Sequence, residues 1–154
     1  RIMIGWNETL DESLPKNIII MTKGLVEKGY EASNLGYRFV WATFNCFYFD
    51  YCQFHQNDGH IYIGGMVTLS YLYEFNPYNN IDNKELVLGV QANVWSEYIE
   101  NFIDLQWKVF PRLCGLSEVA WTKPEEKDFS LFSEKLENKH LDRLRELGIK
   151  YAHQ

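Results

Sequence analysis

The chain has 154 residues, a formal charge of −6, and is 46% hydrophobic and 16% aromatic. That is ample apolar material for one packed domain and too little charge for a disordered tail. Acidity without a Lys/Arg cluster argues against nucleic acid and anionic membrane surfaces, which both need a positive patch, and leaves a neutral polar ligand as the better fit.

In chain order, four short apolar runs read as strands: "RIMIGW" at 1–6, "NIIIM" at 17–21, "YRFVWATF" at 37–44 and "ELVLGVQANVW" at 85–95. They show little polar alternation, as expected of strands covered on both faces in a parallel sheet. "LVEKGYEASNLG" predicts a helix closed by Gly36. Residues 45–84, rich in Tyr, Asn, Asp and Gly, predict a long excursion of loops with at most one short helix near "TLSYLYEF". "SEYIENFIDLQWKVFPRLCGLSEVAW" carries two apolar stripes interrupted by Pro111, which predicts two helices. Trp107 and Trp121 are expected in the core, and Arg112 is expected to fix a helix start. The acids of "KPEEKD" read as a solvated turn, and "DFSLFSEKLENKHLDRLRELG" as a surface helix ending at Gly148. Strand then helix, repeated, is the pattern of a parallel α/β fold.

The apolar runs are far too short to span a bilayer, and no charged-then-apolar signal opens the chain. Because the chain begins at Arg1, it is read as a piece of something longer, and its compartment stays unknown. Cys46, Cys52 and Cys114 are irregularly spaced, so buried free thiols are expected rather than a disulfide framework or a zinc site. The four histidines are scattered with no HExxH, so neither a metal nor a cofactor is expected.

Just past three strand runs stand "GWNE" (Trp6, Glu8), "FYFD" (Tyr48, Asp50) and "VWSE" (Trp95, Glu97). Each is an aromatic, one residue, then a carboxylate. In a parallel sheet all three pairs emerge at one edge, where α/β folds keep their sites. A sugar ring asks for this mixture, since aromatic faces pack on its C–H surface while carboxylates accept from its hydroxyls. Any single pair reads equally as packing plus a solvated carboxylate; on spacing alone the three together leave the two readings level. His55 and His60 lie in the loop excursion and could border the site, and Tyr71, Tyr73 and Phe75 could stack on a second sugar or pack a short helix.

"IGWNETL", "FYFDYCQ", "LGVQANVWSEYI" and "FPRLCGLSEVAW", ending in "LRELGIKYA", resemble the second half of the catalytic domain of family 20 glycoside hydrolases, the β-N-acetylhexosaminidases. The resemblance implies a (β/α)8 barrel of which this chain supplies strands five to eight. It implies that Trp6 lines the pocket for the N-acetyl group and that Tyr48 hydrogen-bonds the acetamido carbonyl as it attacks the anomeric carbon. Asp50 then binds outer hydroxyls, and Trp95 and Glu97 wall the far side of the ring. The implied mechanism is substrate-assisted, with a neighbouring Asp-Glu pair supplying the acid and orienting the acetamide.

Two departures stand out. The only "DE" is Asp11-Glu12, in a polar stretch that reads as surface, so the catalytic pair is expected upstream of Arg1 and the isolated chain is expected to be inactive. Where the family has a tryptophan after the sixth strand, this chain has Lys23 or Gly24. A half barrel exposes two strand edges, so a homodimer, or pairing with the missing half, is also expected. The alternative is a non-catalytic carbohydrate-binding or scaffold module. A phosphate-binding α/β protein is disfavoured, because no strand leads into a glycine-rich loop.

Overall fold

A computed structural model of the chain describes residues 1–54 and 60–153. Its centre is a sheet of four parallel strands in the order β1-β2-β3-β4: β1 (Ile4–Trp6), β2 (Ile19–Thr22), β3 (Arg38–Trp41) and β4 (Val87–Val90). Three lie within the expected runs, and β2 runs one residue past its own, to Thr22. The pairing of β3 with β4 continues past the strands, through Gln91 N–H to Trp41 O (2.8 Å), Asn93 N–H to Phe47 O (2.7 Å) and Phe49 N–H to Asn93 O (2.8 Å). This extension carries the chain's Tyr48 and Trp95 regions forward side by side.

Helix α1 (Glu27–Asn34) links β2 to β3 and ends as expected at Gly36, whose φ of +75° is open to glycine at little cost. The excursion from β3 to β4 holds α2 (Phe44–Phe47) and α3 (Leu69–Glu74). Beyond β4 come α4 (Phe102–Val109) and α5 (Arg112–Trp121), separated at Pro111 as its missing N–H requires. The C-terminal surface helix is a rod in three parts: α6 (Phe129–Lys135), a π-helical turn at Leu136–His140 and α7 (Leu141–Glu146).

The two central strands, β2 and β3, are buried on one face rather than both, and the outer two have no fully buried residue. Ile20, Thr22, Phe39 and Trp41 are fully buried, while Ile19, Met21, Arg38 and Val40 between them are half-buried, because alternate side chains point to opposite faces and α1 packs on one of them. Trp41 anchors that core. Its ring meets Phe39 (5.1 Å), Phe75 (5.4 Å) and Tyr30 (5.9 Å) edge-on, and its indole donates to Pro77 O at 2.9 Å. Burying such a ring contributes about 3 kcal/mol. Gly29 is required beneath it, since a Cβ there would stand 2.1 Å from the ring.

Two tryptophans depart from expectation. Trp121 is 89% exposed: at 100° per residue it lies about 200° around α5 from the buried Val119, on the opposite face. Trp107 is half-buried and stacks on His60 (5.2 Å) instead of entering the core. The residues that do go inside are charged: Asp104 and Lys108, one turn apart on α4, and Arg112, at the start of α5, are all buried. Their residue types argue for the surface. Cys46 is buried, and Cys52 and Cys114 are half-buried. Among the described residues no helix is long and apolar enough to cross a membrane.

Candidate functional site

Parallel pairing brings the C-terminal ends of β1, β3 and β4 to one edge of the sheet. Trp6 is the last residue of β1, Tyr48 and Asp50 follow β3 through α2, and Trp95 and Glu97 follow the extension of β4. The Trp95 ring bridges the set, 6.2 Å from Trp6 and 6.4 Å from Tyr48, and Phe44 and Tyr51 flank Tyr48 at 6.2 and 5.7 Å. Trp95 is tilted 38° to Trp6 and 46° to Tyr48, so the three rings form an aromatic shelf. Tyr48 is buried beneath it and Trp95 is 40% exposed at its rim. Burial pushes the Tyr48 phenol above its ordinary value, with the facing Trp95 side chain pulling the other way.

Asp50 is only 5% exposed, yet neither carboxylate oxygen has a hydrogen-bond partner among the described residues. Burial raises its pKa above the usual carboxylate range and the nearby Glu97 adds to this; the backbone amides of Asp50 and Trp95 and the charge of Arg112 oppose it without closing a good hydrogen bond. An ionised carboxylate left this way is costly unless something donates to it. Sugar hydroxyls are donors of the right kind. Glu97, by contrast, is exposed.

Glu8 does not join this group. It forms an ion pair with Lys23, which holds the Glu8 carboxyl below and the Lys23 ammonium above their ordinary values. The Lys23 amide also donates to Asn7 Oδ1 at 2.5 Å. Lys23 thus stands at the shelf's β2 side, close enough to Tyr48 to feel its charge.

A cavity of about 400 Å³ adjoins the shelf through Glu97 and is lined also by His60, Tyr98, Glu100, Asn101 and Asp104. His60 Nδ1 lies 2.5 Å from Asp104 Oδ1, which ties the loop to the start of α4. His55 lies outside the described residues. Tyr73 stacks on Phe132 (4.9 Å) and Phe75 meets Phe47 edge-on (5.0 Å), so both pack inward, whereas Tyr71 is half exposed. A larger groove of about 630 Å³, between α5 and the C-terminal rod, is lined by none of Trp6, Tyr48, Asp50, Trp95 or Glu97.

Arg112 is the residue whose reach the sequence reading missed. It begins α5, as expected, but its guanidinium is fully buried and donates to the carbonyls of Phe49 (2.5 Å), Tyr51 (3.0 Å), Val67 (3.1 Å) and Lys108 (2.5 Å). No local signal beyond an arginine after a proline marks it.

A parallel α/β sheet that gathers aromatic and acidic side chains at its C-terminal edge matches the place where barrel folds keep their sites. The model of the glycosyl hydrolase family 20 catalytic domain matches residues 1–124. A beta-hexosaminidase of Porphyromonas gingivalis is 31% identical over 153 residues, 97% of this chain and 20% of that protein. A beta-N-acetylhexosaminidase of Cellulomonas fimi is 37% identical over 71 residues, 45% of this chain and 14% of that protein. Among solved structures, the family 20 β-N-acetylhexosaminidase of Streptomyces coelicolor A3(2) superposes with a TM-score of 0.88 at 20% identity, over 100% of this chain and 33% of that one. The family 20 exo-β-N-acetylglucosaminidase of Vibrio harveyi, in complex with N-acetylglucosamine, gives 0.82 at 22%, over 98% and 24%. The chain belongs to glycosyl hydrolase family 20. It spans about a fifth of the length of the Porphyromonas relative.

Proposed function

We propose that this chain forms strands five to eight of a (β/α)8 barrel and supplies the substrate-binding side of a β-N-acetylhexosaminidase site. The substrate is a terminal N-acetyl-hexosamine of a β-linked glycan, and the reaction is substrate-assisted hydrolysis. Trp6 walls the N-acetyl group, and Tyr48 donates to the acetamido oxygen as it attacks the anomeric carbon. A phenol held neutral by burial suits that donation. Asp50 and Glu97 accept from ring hydroxyls, and Trp95 gives the ring a face to lie against.

The observation that carries the reading is the meeting of three rings from separate strand ends beside a buried carboxylate that has no donor among the described residues. The isolated chain does not hydrolyse in this reading, because the one adjacent Asp-Glu pair in its sequence, Asp11-Glu12, lies exposed at the surface. Its open sheet edges at β1 and β4 pair with a second copy or with the rest of the barrel.

The test is turnover of p-nitrophenyl N-acetyl-β-D-glucosaminide by this chain and by the gene product that carries it. Turnover by the gene product alone, falling about 10²-fold or more in Tyr48→Phe, is the expected result. A gene product that binds N-acetylglucosamine without cleaving the glycoside would establish the non-catalytic carbohydrate-binding module instead.

A further inference from the structure

We propose that Arg112 is the positioning residue of the site: its guanidinium clamps the Tyr48–Asp50 segment in the one shape that delivers the phenol and the carboxylate to a sugar. This rests on the hydrolase reading above. The clamp is built from geometry on both sides of Asp50. Nη2 holds the Phe49 carbonyl, between Tyr48 and Asp50, and Nη1 holds the Tyr51 carbonyl just beyond. The same two nitrogens hold Val67 O, where the excursion returns, and Lys108 O, on α4. The Phe49 ring lies over the guanidinium at 4.7 Å. One planar fork therefore ties α4, α5 and both ends of the loop to the segment that carries the site.

Only arginine can do this. Its fixed, planar donors serve four carbonyls at once, whereas a lysine ammonium is a point charge on a flexible stem. Helix start alone does not require it, since the backbone of α5 begins at Pro111 without side-chain capping. Burial pulls the guanidinium down to about 9, which leaves it charged at neutral pH. The charged and titratable groups facing Asp50 are Glu97, Tyr48, Tyr51 and Arg112, and Arg112 is the cation among them. Arg112 thus also favours the ionised, hydroxyl-accepting form of Asp50.

The experiment compares Arg112→Lys and Arg112→Met in the gene product with p-nitrophenyl N-acetyl-β-D-glucosaminide, well below the unfolding temperature of each. Both variants are expected to lose about 10²-fold in kcat, the scale of a site displaced by about 1 Å. In Arg112→Met alone, the acidic limb of kcat/KM moves to higher pH, because the cation near Asp50 is gone. A purely structural role would lower the unfolding temperature and leave both readouts unchanged, and folded Arg112→Lys with wild-type kcat and pH profile overturns the proposal. Should the Arg112 variants not fold, Phe49→Leu decides: it keeps all four acceptors but removes the ring that seats the fork. A fall of roughly 10-fold in kcat is expected there, and wild-type kinetics overturn the clamp. If the wild-type gene product cleaves no hexosaminide, the hydrolase reading fails separately. The clamp is then read by amide exchange in Arg112→Lys or Phe49→Leu, whichever folds. Faster exchange confined to Phe49, Tyr51 and Val67 supports it, and unchanged rates there sink it.

Discussion

Asp50→Asn should make this protein more stable and less able to bind sugar. The carboxylate is 5% exposed and neither oxygen finds a donor among the described residues, so the folded state carries the cost of a buried, unsatisfied anion. An unsatisfied buried polar group costs about 1–3 kcal/mol, and more when charged. The asparagine amide keeps part of that cost because it is polar too, and it gives up the attraction to Arg112, the smallest of the influences on Asp50. A net gain of about 1 kcal/mol at pH 7 remains, or roughly 2–4 °C in Tm for a chain of this size. The sign with pH follows from the raised pKa. Folded Asp50 keeps its proton to higher pH than the unfolded chain does, so between the ordinary carboxylate value of 3.8 and the raised value the native state binds more protons. Wild-type stability contributed by this group therefore falls as pH rises through that window, and the fall is absent in Asp50→Asn. Urea unfolding of both proteins at pH 4, 5.5 and 7, with N-acetylglucosamine titrated in parallel, reads all of this. An Asp50→Asn protein less stable than wild type at pH 7, or one with an unaltered pH slope, would refute the claim that Asp50 is held for a ligand.

The remaining predictions concern packing and assembly. Gly29→Ala places a methyl group into the Trp41 ring, which is itself fixed by its bond to Pro77, so unfolding in urea should show a loss of about 1–3 kcal/mol despite the better helix former. Burial pushes the Cys46 and Cys114 thiols up to about 11, so at pH 8 a disulfide reagent should modify both slowly in the native chain and rapidly in urea. The isolated chain should self-associate through its open strand edges; light scattering that gives a clean monomer at high concentration would count against that.

Much of this fold was legible because its signals are local. The four strand runs and the break at Pro111 follow from residue type alone, and so does the stop at Gly36, where a φ of +75° suits glycine. The family resemblance was carried by short motifs, above all "GVQANVWSE" and "FPRLCGLSEVAW". What stayed hidden depends on partners far along the chain. Lys108 and Arg112 are interior because loop carbonyls at Phe49, Tyr51, Ile61 and Val67 need donors, and nothing near position 112 in the sequence announces those carbonyls. Trp121 was misplaced by its size, since an aromatic at a helix end reads as core until the helix is phased against Val119. The candidate site sits between these cases: its aromatic and acidic pairs are visible locally, but the ion pair that draws Glu8 to Lys23 needed the geometry of neighbouring strands.

The most direct measurement is a crystal structure of the gene product with N-acetylglucosamine bound. The account requires the acetyl methyl group against Trp6, the acetamido oxygen on the Tyr48 hydroxyl, and ring hydroxyls donating to Asp50 and Glu97 with the pyranose face on Trp95. A sugar seated elsewhere, or one at this edge with Asp50 still lacking a donor, would contradict it.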